Sequence, residues 1–174
     1  MGIGAATNER TANMVISIGS DHGGVSLKSD VKAFLQKEGY AVKDFGTNTP
    51  EPCDYPDYAL KVAESVAGGG SSLGILICKS GIGMAIAANK VPGIRAALCH
   101  DEDSARLSRE HNDANILALD GSLKKHDALK IVQAWLESGF GGGEDSRRHK
   151  IRLDKIRAIE DRYSKKQPNS GGAH

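Results

Sequence analysis

The chain has 174 residues, a formal net charge of +1, 39% hydrophobic residues and 26% charged residues. This length fits one well-buried domain rather than two, and no apolar run approaches the roughly 20 residues of a membrane-spanning helix. The amino-terminal segment lacks the apolar core of a secretory signal, and three cysteines give no disulfide framework. We therefore expect a cytoplasmic globular protein.

Apolar stretches alternate with helical patterns along the chain. We predict flexible tails at 1–13 and 165–174 and a single domain at 14–164. The predicted strands are 15–19, 40–45, the segment ending at 77, 94–99 and 115–119. The predicted helices are one ending before 39, then 58–67, 84–90, 101 or 103 to 110, 126–136 and 147–164, with a proline-rich loop at 46–56. Five strands alternating with helices predict an α/β fold, a five-stranded parallel sheet in a Rossmann-like αβα sandwich.

The segment around Cys78 gives the strongest indication of a functional site. A buried strand is predicted to end there, and Ser80, Gly81 and Gly83 follow before the next helix. Such a turn leaves a thiol, a hydroxyl and backbone N–H groups facing one crevice, where a helix amino terminus favours negative charge. Cys78 is a candidate base or nucleophile, and a buried core cysteine is the alternative. The glycine spacing matches neither a Walker loop nor a dinucleotide-binding loop.

Ligands of parallel sheets bind at the carboxyl ends of the strands. Asp21 and His22 follow the first predicted strand, and His22 is either an anion donor or a turn histidine. Cys99 ends another strand without a glycine turn, so we interpret it as structural. His111 lies between a helix and a strand, as a C-cap or as a general acid or base at the side of the cleft. No grouping of His, Cys, Asp and Glu has metal-site spacing.

The last predicted helix is strongly basic, with nine Lys and Arg against three Asp and Glu over 147–166. One face carries two arginines and three apolar residues at helical spacing: Arg148, Arg152, Ile156, Ile159 and Tyr163. A glycine link at 141–143 allows this helix to lie across a second subunit and form an intermolecular anion site, although a solvated face is the alternative. Aromatic residues are 5% and none interleaves with the basic run, which weakens a nucleic-acid role.

Ordered motifs over residues 15–162 resemble the type B ribose-5-phosphate isomerase family, which is related to galactose-6-phosphate isomerase subunits. They are Gly-Ser-Asp21-His22-Gly-Gly, Asp54-Tyr55-Pro56, Ile-Cys78-x-Ser80-Gly-Ile-Gly, Ala-Asn89-Lys90, Ser-Arg109-x-His111-Asn112-Asp113-x-Asn115 and Arg148-His-x-x-Arg152. The resemblance implies a homodimer or larger assembly acting on a sugar phosphate in the pentose phosphate pathway, without metal or organic cofactor and without a nucleic-acid or membrane partner.

The resemblance also implies catalytic roles. Cys78 would be the base that moves a proton between C2 and C1, and His111, with Asp21 nearby, would assist opening of the furanose ring. The groups that would hold the enediolate oxygen are the Ser80 hydroxyl and the backbone N–H groups of Gly81, Ile82 and Gly83.

Binding roles follow from the same resemblance. Tyr55 and Asn112 would contact sugar oxygens. His22, Arg148 and Arg152 would bind the phosphate, the two arginines coming from the neighbouring subunit.

Three features depart from the family pattern. Lys79 stands where the family usually has glycine, Ser122 stands where many members have an arginine, and 144–146 are extra residues. The interpretation is an isomerase that interconverts ribose 5-phosphate and ribulose 5-phosphate. The alternatives are an isomerase of allose 6-phosphate, galactose 6-phosphate or a tetrose phosphate, or a non-catalytic sugar-phosphate-binding module.

Overall fold

A computed structural model of the chain describes residues 14–141 and 146–164. The predicted tails at 1–13 and 165–174, and most of the glycine link with the extra residues 144–145, lie outside these ranges. Within the described residues, no helix is long and apolar enough to cross a membrane.

Five strands form one parallel sheet in the order β2-β1-β3-β5-β4. The strands are β1 (Val15–Ser20), β2 (Ala41–Asp44), β3 (Leu73–Cys78), β4 (Ala96–Leu98) and β5 (Ile116–Asp120). The central strand β3 is buried along its whole length, as expected for a parallel strand covered on both faces.

Six helices connect and cover the strands. They are α1 (Val25–Lys37), α2 (Tyr55–Ala67), α3 (Ile82–Ala88), α4 (Glu102–Asn112), α5 (Lys125–Glu137) and α6 (Ser146–Ser164), and a short 3-10 turn at His22–Gly24 precedes α1. Alternate residues of the strands pack on opposite sides. Ile75 and Ile77 contact the layer of α1, α4 and α5, whereas Leu76 and Cys78 contact the layer of α2 and α3. The predicted αβα sandwich is confirmed.

Most element boundaries lie within one or two residues of the prediction, and two helix starts differ for physical reasons. The helix predicted to begin at 58 begins at Tyr55, because Pro56 occupies the first turn, where proline is favoured and its missing N–H costs nothing. The helix predicted over 84–90 begins at Ile82 and ends at Ala88, since the left-handed Gly81 caps it.

Candidate active site

The carboxyl ends of β1, β3 and β5 meet at one edge of the sheet, where Ser20 pairs with Ile77 and Cys78 pairs with Asp120. The loops that follow are in close contact. A Cβ added at Gly24 would lie 2.6 Å from the Ile77 carbonyl oxygen, and one at Gly121 would lie 2.6 Å from the Gly23 carbonyl oxygen. Small residues are therefore required where these loops cross, and the space above the loops at this carboxyl edge is called the cleft.

Cys78 lies at the floor of this cleft with only 5% of its surface exposed. The chain turns sharply after it, because Gly81 adopts φ +72°, in the left-handed region. A Cβ at Gly81 would also lie 2.5 Å from Leu98 Cδ1, so a larger residue does not fit. The Ile82 N–H donates to Ser80 Oγ at 3.4 Å. The turn thus places the Ser80 hydroxyl and the first N–H groups of α3 within a few residues of Cys78 at the carboxyl edge of the sheet.

Asp21 and His22 form the neighbouring wall. Asp21 is buried and its Oδ1 accepts the Gly23 N–H at 2.9 Å, so this carboxylate caps the short turn. His22 is exposed, and its Nδ1 accepts the backbone N–H of Cys53 at 3.2 Å. A neutral His22 therefore carries its proton on Nε2, where the N–H is available to a ligand.

Tyr55 completes this side of the cleft. Its ring lies directly on Gly83, because a Cβ added there would be 2.7 Å from Tyr55 Cζ. Tyr55 remains 40% exposed at the start of α2, so a ligand in the cleft has access to this residue. One chain thus brings together Asp21, His22, Tyr55, Cys78, Ser80 and the Gly81, Ile82, Gly83 turn.

The other predicted site residues lie at the opposite edge of the sheet. His111 and Asn112 end α4, just before β5 begins, and Arg95, which contacts this turn, immediately precedes β4. The five residues of β5 separate the two edges by roughly 13 Å, at about 3.3 Å per residue. His111 stacks on His149 of α6 with ring centroids 4.2 Å apart. Asp21 and His111 of one chain therefore lie at opposite edges of the sheet.

Helix α6 lies across this amino edge and exposes the predicted stripe. Its buried side includes His149, which is 4% exposed, and Glu160 accepts the Gly93 N–H at 2.9 Å. All five members of the stripe are exposed, and three of them, Ile156, Ile159 and Tyr163, line a groove with Asn89 and Asn112; the other two are Arg148 and Arg152. The predicted common face is present, and no part of the described chain covers it fully.

Three contact residues were given no role by the sequence patterns. His149 lies one position from the stripe, and its spacing of four to Leu153 would have indicated the buried side of α6. Arg95 and Asp113 form an ion pair at 2.8 Å beside Asn112. Their partnership joins residues 18 apart in sequence, which no local pattern reveals.

The departures from the family pattern can also be located. Lys79 is exposed and its backbone lies against Gly23, next to His22. The Ser122 hydroxyl donates to Asp120 Oδ1 at 2.6 Å. Cys99, interpreted as structural, is 1% exposed, and burial raises the pKa of its thiol above 9.0. Within the described ranges, no cluster of three or more His, Cys, Asp or Glu could hold a metal ion.

Comparison with known proteins gives one consistent family. The family model described as Ribose/Galactose Isomerase matches residues 16–156. Ribose-5-phosphate isomerase B of Escherichia coli K12 is 47% identical over 148 residues, which cover 84% of this chain and 97% of that protein. D-erythrulose-4-phosphate isomerase of Pectobacterium atrosepticum is 42% identical over 130 residues, covering 74% and 86%.

The structural comparison agrees. The structure of ribose-5-phosphate isomerase B from Clostridium thermocellum superposes with a TM-score of 0.82 at 55% identity, and the match covers 86% of this chain and 99% of that one. Sequence and fold therefore match over nearly the full length of these relatives. The chain is a sugar-phosphate isomerase and belongs to the ribose/galactose isomerase family.

Proposed function

We propose that the protein interconverts ribose 5-phosphate and ribulose 5-phosphate through an enediolate, with Cys78 as the base. The observation that carries this proposal is that Cys78 ends β3 at the carboxyl edge of the sheet, and that the turn through Ser80 and the left-handed Gly81 leads directly into the amino terminus of α3. A base and a set of hydrogen-bond donors then face the same small volume. Relatives named ribose-5-phosphate isomerase B favour the five-carbon sugar.

The chemistry needs one base and one oxyanion site. The Cys78 thiolate removes the proton from C2 of the open-chain aldose, and the electron pair of the C–H bond forms the C1–C2 double bond while negative charge moves to O1. Ser80 and the N–H groups of the turn stabilise that charge. The proton on O2 then passes to O1, the C1–C2 double bond takes the proton back from the thiol at C1, and O2 becomes the ketone oxygen as the Cys78 thiolate is regenerated. Asp21 holds the short turn that carries His22, whose Nε2–H donates to the phosphate.

The remaining groups come from a second copy of the chain in this proposal. The sheet separates Cys78 from four groups of its own chain. His111 therefore cannot open the furanose ring at that Cys78, Asn112 cannot contact the sugar there, and Arg148 and Arg152 cannot bind its phosphate. A partner subunit that presents its amino edge to the cleft would supply all four groups.

Helix α3 is suited to form the contact between the two subunits. It begins at the cleft beside Cys78 and ends near Asn112, since Asn89 and Asn112 line one groove of about 760 Å³ with Ile156 and Ile159. Ile82 and Ile86 are four residues apart and more than half exposed on its outer face. If two copies of α3 pack antiparallel across a two-fold axis, the cleft of each chain meets the amino edge of the other.

The first experiment measures turnover of ribose 5-phosphate by the purified protein in deuterated water. We expect ribulose 5-phosphate to form with hydrogen exchange at the transferred position, and Cys78→Ala to abolish turnover while retaining phosphate-ligand binding. Cys99→Ala is the matched control, since Cys99 also ends a strand in the core but lies outside the cleft. Full activity of Cys78→Ala would remove the thiol from the mechanism.

The second experiment tests the shared site by mixing Cys78→Ala chains with His111→Ala chains. Each mixed dimer then contains one intact site, so a random mixture should recover about a quarter of wild-type activity. Recovery would show that the two residues act across subunits. No recovery in dimers that have demonstrably exchanged chains would contradict the shared site.

A second substrate has specific support. A relative named D-erythrulose-4-phosphate isomerase is 42% identical to this chain, which supports a four-carbon sugar phosphate as the alternative substrate. Ser122, whose hydroxyl is held by Asp120, extends no cation toward a phosphate. The preferred substrate is decided by comparing kcat/KM values. The substrates to compare are ribose 5-phosphate, the tetrose phosphate, allose 6-phosphate and galactose 6-phosphate. We place the reaction in the cytoplasm, in keeping with three free thiols.

A further inference from the structure

The turn that follows α4 has an unusual backbone. Asp113 adopts φ 46° and ψ 44°, and it is the only non-glycine residue with positive φ in the described part of the chain. Glycine is the usual residue in this conformation, although aspartate tolerates it better than most side chains. The backbone conformation alone therefore does not explain why a carboxylate stands at this position.

The carboxylate of Asp113 lies between two guanidinium groups. Its Oδ2 accepts from Arg95 Nη2 at 2.8 Å, and its Oδ1 lies 3.6 Å from Arg109 Nη1. Arg109 is largely buried, its guanidinium lies over the Trp135 ring at 5.2 Å, and burial lowers its pKa. The reaction proposed above uses none of these groups.

The same arginines bind the backbone of the turn. Arg95 Nε donates to the carbonyl oxygens of Asn112 and Asp113 at 3.1 and 2.9 Å, and Arg109 donates to the Ala114 carbonyl. Three consecutive carbonyl groups, that of the last helical residue and those of the two residues after it, thus accept from guanidinium groups. The turn is fixed through both its side chain and its backbone.

The turn is also joined to the sheet. The Arg95 N–H donates to Asn115 Oδ1 at 2.8 Å, and these two residues immediately precede β4 and β5. These contacts fix the position of the carboxyl end of α4 relative to β4 and β5. The last two residues of that helix are His111 and Asn112.

We infer that Asp113, held by Arg95 and Arg109, is a positioning residue that directs His111 and Asn112 into the active-site cleft of the partner subunit. The inference rests on the proposed function, because it requires that these two residues act there. A small rotation at Asp113 would move the His111 imidazole by an ångström or more, and misplacement of that size costs about tenfold to a hundredfold in rate.

Two substitutions separate the conformation from the charge. Asp113→Gly keeps the left-handed backbone without strain and removes the carboxylate, whereas Asp113→Asn keeps the conformation and one acceptor but removes the charge. We expect kcat/KM to fall about tenfold or more for Asp113→Gly and less for Asp113→Asn. The control is Asp103→Asn, which breaks an exposed pair with Arg106 on the same helix and should leave kcat/KM unchanged.

Subunit mixing then distinguishes positioning from general damage. Asp113→Gly chains mixed with Cys78→Ala chains should recover activity, because one site per mixed dimer combines an intact Cys78 with a correctly held His111. Mixed with His111→Ala chains they should not, since every site then lacks a well-placed imidazole. The ring signals of His111 in the NMR spectrum should shift or broaden in both Asp113 variants, while those of His22 stay unchanged.

Wild-type kcat/KM and unchanged His111 signals in both variants would overturn the inference. So would recovery with His111→Ala but not with Cys78→Ala, because Asp113 would then act on its own chain's cleft. If Asp113→Gly does not fold, Asp113→Asn carries the same tests. Recovery between Cys78→Ala and His111→Ala chains with fully active Asp113 variants would refute this inference alone and leave the proposed function standing.

Discussion

The imidazole rings of His111 and His149 stack almost parallel, with centroids 4.2 Å apart and an interplanar angle of 11°. This contact links the end of α4 to the first turn of α6, whose His149 is almost fully buried. The same helix turn carries Arg148. The stack therefore sets the relative position of the imidazole and the arginine that the proposal assigns to one sugar phosphate.

Replacing His149 tests whether this stack matters for activity. His149→Ala removes a contact of about 1 kcal/mol and frees both α6 and the His111 ring. We expect kcat/KM for ribose 5-phosphate to fall about tenfold. His149→Phe keeps an aromatic ring and should retain most of the activity. Equal losses in the two variants would indicate that the imidazole nitrogens of His149, rather than the stack, are needed.

Gly83 supports the Tyr55 ring and permits no side chain. In Gly83→Ala the new Cβ would lie 2.7 Å from Tyr55 Cζ, so the ring must move away from the cleft wall. We expect KM to rise more than kcat falls, because Tyr55 is proposed to bind rather than to react. The control is Gly139→Ala, where no atom lies within 4 Å of the added Cβ. An unchanged KM in Gly83→Ala would remove Tyr55 from the binding site.

The thiols of Cys53 and Cys99 should differ in reactivity toward iodoacetamide. Cys53 is half-buried and lies next to His22, with Sγ 3.8 Å from Nδ1. Cys99 is almost fully buried, and burial raises its pKa, so little thiolate is present. We expect mass spectrometry to find Cys53 labelled long before Cys99, and ribose 5-phosphate to slow the labelling of Cys53 but not that of Cys99. Equal protection of both thiols by the sugar phosphate would argue against binding at His22.

Much of the fold could be read from the sequence because each strand is a short apolar run followed by polar or glycine residues. The cleft around Cys78 followed as well, since parallel strands gather their carboxyl ends at one edge. The close contact between the loops at Gly24 and Gly121 could not be predicted from the sequence, because it depends on which strands are neighbours in the sheet. The order β2-β1-β3-β5-β4 is set by packing across the whole sheet.

The placement of His111 shows a different limit. Motif order along the chain suggests a single site, but a helix that returns antiparallel to its strand ends at the opposite edge. The same holds for the contact of His149 with His111 and for the pair of Arg95 with Asp113. These contacts join distant segments through side chains, so hydrophobic periodicity does not predict them.

The buried ion pair of Lys28 and Asp44 gives a prediction for stability against acid. Lys28 is 1% exposed, and its Nζ donates to Asp44 Oδ1 at 2.8 Å and to Asn48 Oδ1 at 2.9 Å. Burial acts to raise the pKa of Asp44, but hydrogen bonds from Lys28, Lys32 and the Gly46 N–H outweigh it and hold the pKa below 3.8. The pair anchors the end of β2 and the loop that leads toward α2.

A carboxyl group with a lowered pKa in the folded state stabilises the fold fully above its unfolded-state pKa, and this contribution is lost as pH falls through the folded-state pKa. Asp44→Asn should therefore lower the free energy of unfolding at pH 7 by about 3 kcal/mol, since it leaves a buried ammonium without its counter-charge. The difference in the free energy of unfolding between the variant and the wild type should decrease below about pH 4, as Asp44 protonates. Lys32→Met, which removes the exposed partner, should cost less than about 1 kcal/mol. Urea unfolding between pH 2 and pH 7 measures all three proteins, and a gap that stays constant across this range would show that Asp44 does not titrate with folding.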